Sequence, residues 1–155
     1  MSQKDWGNIT WYLFHTLAEK VNPEKFSEIK PTIILFIQTT CQNLPCPICA
    51  AHAEKNLRNA KINLINTKAD LIEFMRQFHN VVNIHTGKES VSKEFVISKY
   101  KKANLLPIIN RFIQIYSHKY GNFELNSFLR ANERHKFIKQ ATIQLKLSQL
   151  TVIKQ

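Results

Sequence analysis

Apolar residues recur along the chain at intervals of three and four, the spacing that lines one face of an α-helix, so a mostly helical fold is favoured over a sandwich or barrel. Trp11, Phe14, His15 and Ala18 share such a face and predict a first helix over residues 7–20, with Asn8 placed to cap it. Asn22-Pro23, a cap followed by proline at the first helical position, opens a second helix that runs to Asn43 and bends or restarts at Pro31. Pro47 predicts a third helix that begins at the pair Cys46 and Cys49 and runs to about Asn59. The clearest pattern starts at Thr67, whose spacing to Asp70 is a capping signal, and ends near Gly87, a residue suited to a left-handed C-terminal turn. Leu71, Phe74, Met75, Phe78 and Val82 form its apolar stripe, and His79, Asn80 and Asn83 cluster beside that stripe. A short helix is expected from Ser92 to Lys102 and another apolar helix from Pro107. Gly121-Asn122 marks a turn, and residues 124–149 read as a long basic amphipathic helix. The expected fold class is therefore all-α, a bundle of four to five helices over residues 1–103 with a further helical segment over residues 104–155.

Composition narrows this picture. With 44% hydrophobic residues and only three glycines in 155 residues, the chain carries enough apolar surface for one domain with its own core. No apolar run reaches the ~18 residues of a membrane helix. The start, MSQKDWGNIT, lacks the cationic and apolar regions of a signal peptide, so the expectation is a cytoplasmic protein. The net charge of +11 is spread unevenly: residues 104–155 hold eight Lys and Arg against two acids, residues 1–103 fourteen against nine. Such a surplus is compatible with nucleic acid, an anionic surface, an acidic partner or a phosphorylated cofactor, and does not choose among them.

Three cysteines are too few for a disulfide scaffold, and in a reducing compartment a CxxC is more often catalytic or metal-binding than structural. Cys46 and Cys49 are thus a redox pair, two metal ligands or packing residues. Cys41, among Ile, Phe and Leu, reads as a small buried hydrophobe.

Four features stand in order: W-G-x3-W-x3-H from Trp6 to His15, C-P-x-C-x-x-H from Cys46 to His52, H-N-x-V-N from His79 to Asn83, and Lys88 five residues later. Together they resemble the FAD-linked sulfhydryl oxidases of the Erv/ALR family, in the manner of short viral members with a single CxxC, over residues 6–102. The resemblance implies a small FAD-binding helical bundle with the disulfide of Cys46 and Cys49 against the flavin. Cys46 would be the outer sulfur attacked by substrate and Cys49 the flavin-proximal one. Gly7, Trp11, His15, His52, His79, Asn80, Val82, Asn83 and Lys88 are the implied cofactor-pocket positions. The reaction implied is oxidation of thiols in protein substrates, or in a partner redox protein, with O2 as acceptor and H2O2 as product. A homodimer is expected by the same likeness, in the host cytoplasm or a virus factory, or packaged in virions. Many cellular members carry a second cysteine pair and a later structural disulfide, whereas this chain has no cysteine after Cys49. Asn8 also stands where many of them have arginine.

The rival reading is a zinc-stabilised basic module. Cys41, Cys46, Cys49 and His52 would supply a tetrahedral site, and the basic tail would lie on nucleic acid or an anionic surface. It accounts for Cys41 but leaves the tryptophan, the H-N-x-V-N run and Lys88 without a role, so nucleic acid is the disfavoured partner. His85, His118 and His135 match no motif and are read as surface residues.

Overall fold

A computed structural model describes residues 3–117 and 136–141. Six α-helices are formed there: α1 (Gln3–Lys20), α2 (Phe26–Gln42), α3 (Pro47–Asn59), α4 (Lys68–His85), α5 (Lys93–Lys101) and α6 (Leu105–Ser117). Short 3-10 turns lie at Pro23–Lys25 and Ile62–Leu64, residues 136–141 are also helical, and no strand occurs among the described residues. The expected turn at Gly121-Asn122, most of the expected helix over 124–149, and His118 and His135 lie outside the described residues.

Local chemistry accounts for most boundaries. The Thr67 hydroxyl accepts the Asp70 N–H at 3.1 Å while the Asp70 carboxylate accepts the Thr67 N–H at 2.9 Å, a reciprocal capping box at the start of α4. The Asn66 N–H, which donates to the same carboxylate at 3.0 Å, and then Thr67 hold the Asp70 carboxyl below its usual range. At the other end, Gly87 has φ 70°, its N–H reaches the Ile84 carbonyl and the Lys88 N–H reaches the Asn83 carbonyl at 2.8 Å, which is a Schellman closure. Ser92 caps α5. Three expectations need correction. α1 begins at Gln3, so Asn8 is an exposed residue inside the helix rather than its cap. Asn22 caps the 3-10 turn, and α2 itself starts at Phe26. Pro31 does not restart α2, because so close to the helix N-terminus it removes one bond on a side open to water.

Helix α1 packs against α4, α5 and α6, while α2 packs against α3. Aromatic contacts tie these groups together: Phe14 of α1 meets Phe36 of α2 edge-on at 6.1 Å, and Phe36 meets Phe112 of α6 at 5.9 Å. Leu13, Phe14, Phe36, Met75, Phe112 and Tyr116 are essentially without solvent contact. Helix α6 belongs to this same core. The Thr10 hydroxyl donates to the Trp6 carbonyl at 2.6 Å, so the Tyr116 hydroxyl, 2.7 Å away, is the donor to Thr10.

Candidate functional site

The cysteine pair sits at the N-terminus of α3. Cys46 is the N-cap, in extended conformation, and its Sγ accepts the Cys49 N–H at 3.2 Å, with Pro47 in the first turn, where a missing N–H costs nothing. Cys46 and Cys49 form a disulfide with Cα atoms 5.2 Å apart, partly buried against the core, while Pro47 and Ile48 between them are exposed. The Cys49 N–H aimed at Cys46 Sγ, together with the positive end of the helix dipole, favours a thiolate on the first turn whenever the disulfide opens. Cys41 is a free thiol buried in α2, and burial pushes it up to about 12, out of range for thiolate chemistry.

Between α1 and α4, side chains from both helices build an aromatic slot. Gly7, Trp11 and His15 recur every four residues and share one face of α1. The Trp11 ring stacks on His79 of α4 with centroids 4.0 Å apart and planes 7° from parallel, and its edge meets Phe78 at 5.3 Å. His15 Nε2 lies 3.0 Å from His79 Nδ1, and the His15 ring stacks on Tyr100 of α5 at 4.5 Å. Burial, then the His79 and Lys99 charges, lowers His15 to about 3. Burial, then Lys99 and Lys88, lowers His79 to about 4. Both rings are therefore neutral at neutral pH, so one nitrogen of the pair donates and the other accepts. His15 Nδ1 is buried without a hydrogen-bond partner, and a Cβ added at Gly7 would meet nothing within 4 Å.

The asparagines of the H-N-x-V-N run turn toward the α4–α5 loop. Asn80 bonds Val91 in both directions, donating to its carbonyl at 3.0 Å and accepting its N–H at 2.9 Å, and Asn83 donates to the Glu89 carbonyl at 3.2 Å. These bonds hold the loop that carries the exposed Lys88. Val82 is half-buried in the same turn of α4. His52, one turn beyond Cys49, is exposed, and its ring meets the edge of His85 at 4.9 Å; His85 is exposed as expected, yet it has this neighbour across the helices. The four residues of the zinc reading do not converge, and among the described residues no group of three His, Cys, Asp or Glu side chains is placed to hold a metal ion.

Sequence reasoning missed Lys99 and Tyr100. The Lys99 ammonium lies over the Tyr12, Phe95 and Tyr100 rings at 5.5, 5.5 and 5.3 Å and lowers both buried histidines. No local motif announces them, because the cluster exists only once α5 docks on α1. A separate cleft of about 530 Å³ opens between α3 and α4, lined by Asn56, Asn59, Lys61, Phe74, Gln77 and Val81 among others. It contains neither the cysteines nor the histidines, and it touches the aromatic slot only through Phe78.

Comparison with known proteins agrees with the motif order. A protein of Invertebrate iridescent virus 3 named as an FAD-linked sulfhydryl oxidase is 28% identical over 99 residues, covering 63% of this chain and 67% of the relative. One of the same name from Invertebrate iridescent virus 6 is 26% identical over 102 residues, covering 62% and 92%. A third, from Acanthamoeba polyphaga mimivirus, is 26% identical over 106 residues, covering 66% and 73%. No solved structure matches the chain. Residues 8–104, which span α2 to α5 and most of α1, match the Erv1/Alr family, and the chain belongs to that family.

Proposed function

We propose that this chain is an FAD-dependent thiol oxidase that forms disulfides in protein substrates. The observation that carries the reading is the Cys46–Cys49 disulfide at a helix N-terminus inside the family-matched segment. The residues present suit the cofactor. Half-buried Trp11 and His79 offer ring surface beside the buried His15–Tyr100 stack, His15 Nδ1 is an unused buried polar atom, space lies open beside Gly7, and Lys88 and Lys99 bring positive charge toward His79. Gly7, Trp11, His15, His52, His79, Val82 and Lys88 would hold FAD, with Asn80 and Asn83 acting through the loop they bind. When bound, FAD supplies acceptance of two electrons from the dithiol and their delivery to O2.

The chain's own chemistry is thiol–disulfide exchange. A substrate thiolate attacks Cys46 Sγ, the Cys46–Cys49 bond breaks, and Cys49 leaves as a thiolate. A second substrate thiolate then attacks the substrate sulfur of the mixed disulfide and releases Cys46. The substrate leaves as a disulfide and the chain as a dithiol, so two thiols and O2 yield one disulfide and H2O2 overall. Buried Cys41 takes no part. The His15 and His79 rings are themselves neutral at neutral pH, so the positive charge near the slot comes from Lys88 and Lys99. The oxidase domain over residues 1–103 is completed by α6 of the basic extension 104–155, and the active form is a homodimer in the cytoplasm or a virus factory, acting on thiol proteins or a partner redox protein. Among the described residues no helix is long and apolar enough to cross a membrane.

The test is an absorption spectrum of the purified protein with thiol-dependent O2 uptake in the same cuvette. Flavin absorption near ~450 nm with O2 uptake abolished in Cys46→Ala and Cys49→Ala is expected. A colourless protein that consumes no O2 in the presence of thiols overturns the proposal.

A further inference from the structure

The loop between α4 and α5 carries Lys88 and delivers Lys99 and Tyr100, yet burial does little to hold it. Residues 84–90 are all exposed, and only Val91 is half-buried. Its position is set by polar contacts, and two of them converge on one atom: the Val91 carbonyl accepts from Asn80 Nδ2 at 3.0 Å and from Arg76 Nη1 at 3.2 Å. Arg76 is itself aimed. Its Nε and Nη2 donate to the two carboxylate oxygens of Glu73 at 2.9 and 2.6 Å, and Gln77 Nε2 donates to Glu73 Oε1 at 2.8 Å. One planar guanidinium thus makes three directed bonds, a two-pronged grip on α4 and a third bond to the loop.

We infer that Arg76 is a positioning residue for FAD binding, acting through the Val91 carbonyl to fix the loop on which Lys88 stands. The inference rests on the oxidase reading and adds to it a residue that lies outside the motifs. The Arg76 and Glu73 side chains are only 24% and 31% exposed, so the pair is better shielded than an ordinary surface ion pair. Glu73 pushes Arg76 up from its ordinary value and Arg76 holds the Glu73 carboxyl below its usual range, with Lys93 and Glu94 the other charges bearing on them. No thiol takes part, so the clamp persists under the reducing conditions that open Cys46–Cys49. Lysine cannot substitute: a point ammonium lacks the fork that grips Glu73 while also reaching Val91.

The test is titration of FAD, followed by flavin fluorescence, into wild type, Arg76→Met, Arg76→Lys, Lys88→Met and the double variant Arg76→Met/Lys88→Met. Both single Arg76 variants are expected to weaken FAD about tenfold, as for loss of a hydrogen bond from a charged group. The double variant is expected to bind no more than about twofold more weakly than Lys88→Met, since Arg76 acts through Lys88. Wild-type affinity in Arg76→Met, rescue by lysine, or additive losses in the double variant each overturn the inference and leave the oxidase reading intact. A wild-type chain that binds no FAD overturns both. If Arg76→Met does not fold, Glu73→Gln carries the test: a several-fold loss of FAD affinity supports the clamp, and unchanged affinity overturns it.

Discussion

Cys41 and the cysteine pair are separated by only a few residues, but their surroundings give them opposite chemistry. The Cys41 thiol is held up at about 12 by burial alone. Iodoacetamide at about pH 8 is therefore expected to leave Cys41 unmodified in the native chain and to modify it once the chain is unfolded in urea, as mass spectrometry of the Cys41 peptide would show. Labelling of native Cys41 at the rate of a free thiol would contradict the buried position. The two imidazoles of the slot make a second prediction. In the unfolded chain both take up protons from about pH 6.5, whereas in the fold His79 does so only near 4 and His15 near 3. The unfolded state thus binds more protons between about pH 6.5 and 3. The contribution is complete above that window and is lost as pH falls through it. The urea midpoint is expected to drop from about pH 7 to about pH 5, and to drop less in His79→Gln; a midpoint that does not fall over this interval would contradict the buried neutral pair.

At the scale of elements, the helices of the matched segment are legible wherever a short-range rule applies: the Thr67–Asp70 box, Ser92 before α5, Pro47 at the first turn of α3. The start of α1 is not, because the apolar spacing is read from Trp11 onward, whereas the helix also takes in the buried Trp6. The candidate site divides the same way. Trp11, His15 and His79 are visible from spacing and do meet, while Lys99, Tyr100 and Arg76 depend on how α5 and its loop dock, which no local pattern encodes. The roles of Asn80 and Asn83 were hidden for the same reason, since their amides serve loop carbonyls far closer in space than any motif states. Gly87 links both kinds of information. Its φ of 70° is costly for a residue with a Cβ, although a Cβ there would meet nothing, so the penalty is conformational rather than steric crowding. Gly87→Ala is expected to destabilise the protein by about 1 kcal/mol in chemical denaturation. It is also expected to weaken FAD binding by displacing Lys88. Unchanged stability and affinity would show that the Schellman closure does not control the loop.

The whole molecule does not end where the family match does. The matched segment closes at residue 104, one residue before α6, yet α6 supplies Leu105, Ile108, Ile109, Phe112, Ile115 and Tyr116 to the core, and its packing partner is α1, the helix that carries Trp11 and His15. Removing α6 would bare the face of α1 that holds Trp6, Thr10 and Leu13, and would leave the Thr10 hydroxyl without the donor it has in Tyr116. Phe137, from the helical segment 136–141, extends the same contact with its ring 6.3 Å from Tyr116. Deletion of residues 104–155 is therefore a poor way to ask what the basic extension binds, because loss of the core would mimic loss of a partner. A chain of residues 1–104 is expected to lose the cooperative thermal transition seen by circular dichroism. In the full chain, Phe112→Ala is expected to cost about 3–5 kcal/mol, the range for a buried phenylalanine. A 1–104 chain that melts cooperatively and retains thiol oxidation would show that α6 is dispensable and would make the boundary at residue 103 a true domain edge. Replacing the basic side chains of 118–155 by glutamine keeps α6 in place, so a change in oxidation of a protein substrate there, with unchanged oxidation of a small dithiol, would assign the charge to substrate recruitment.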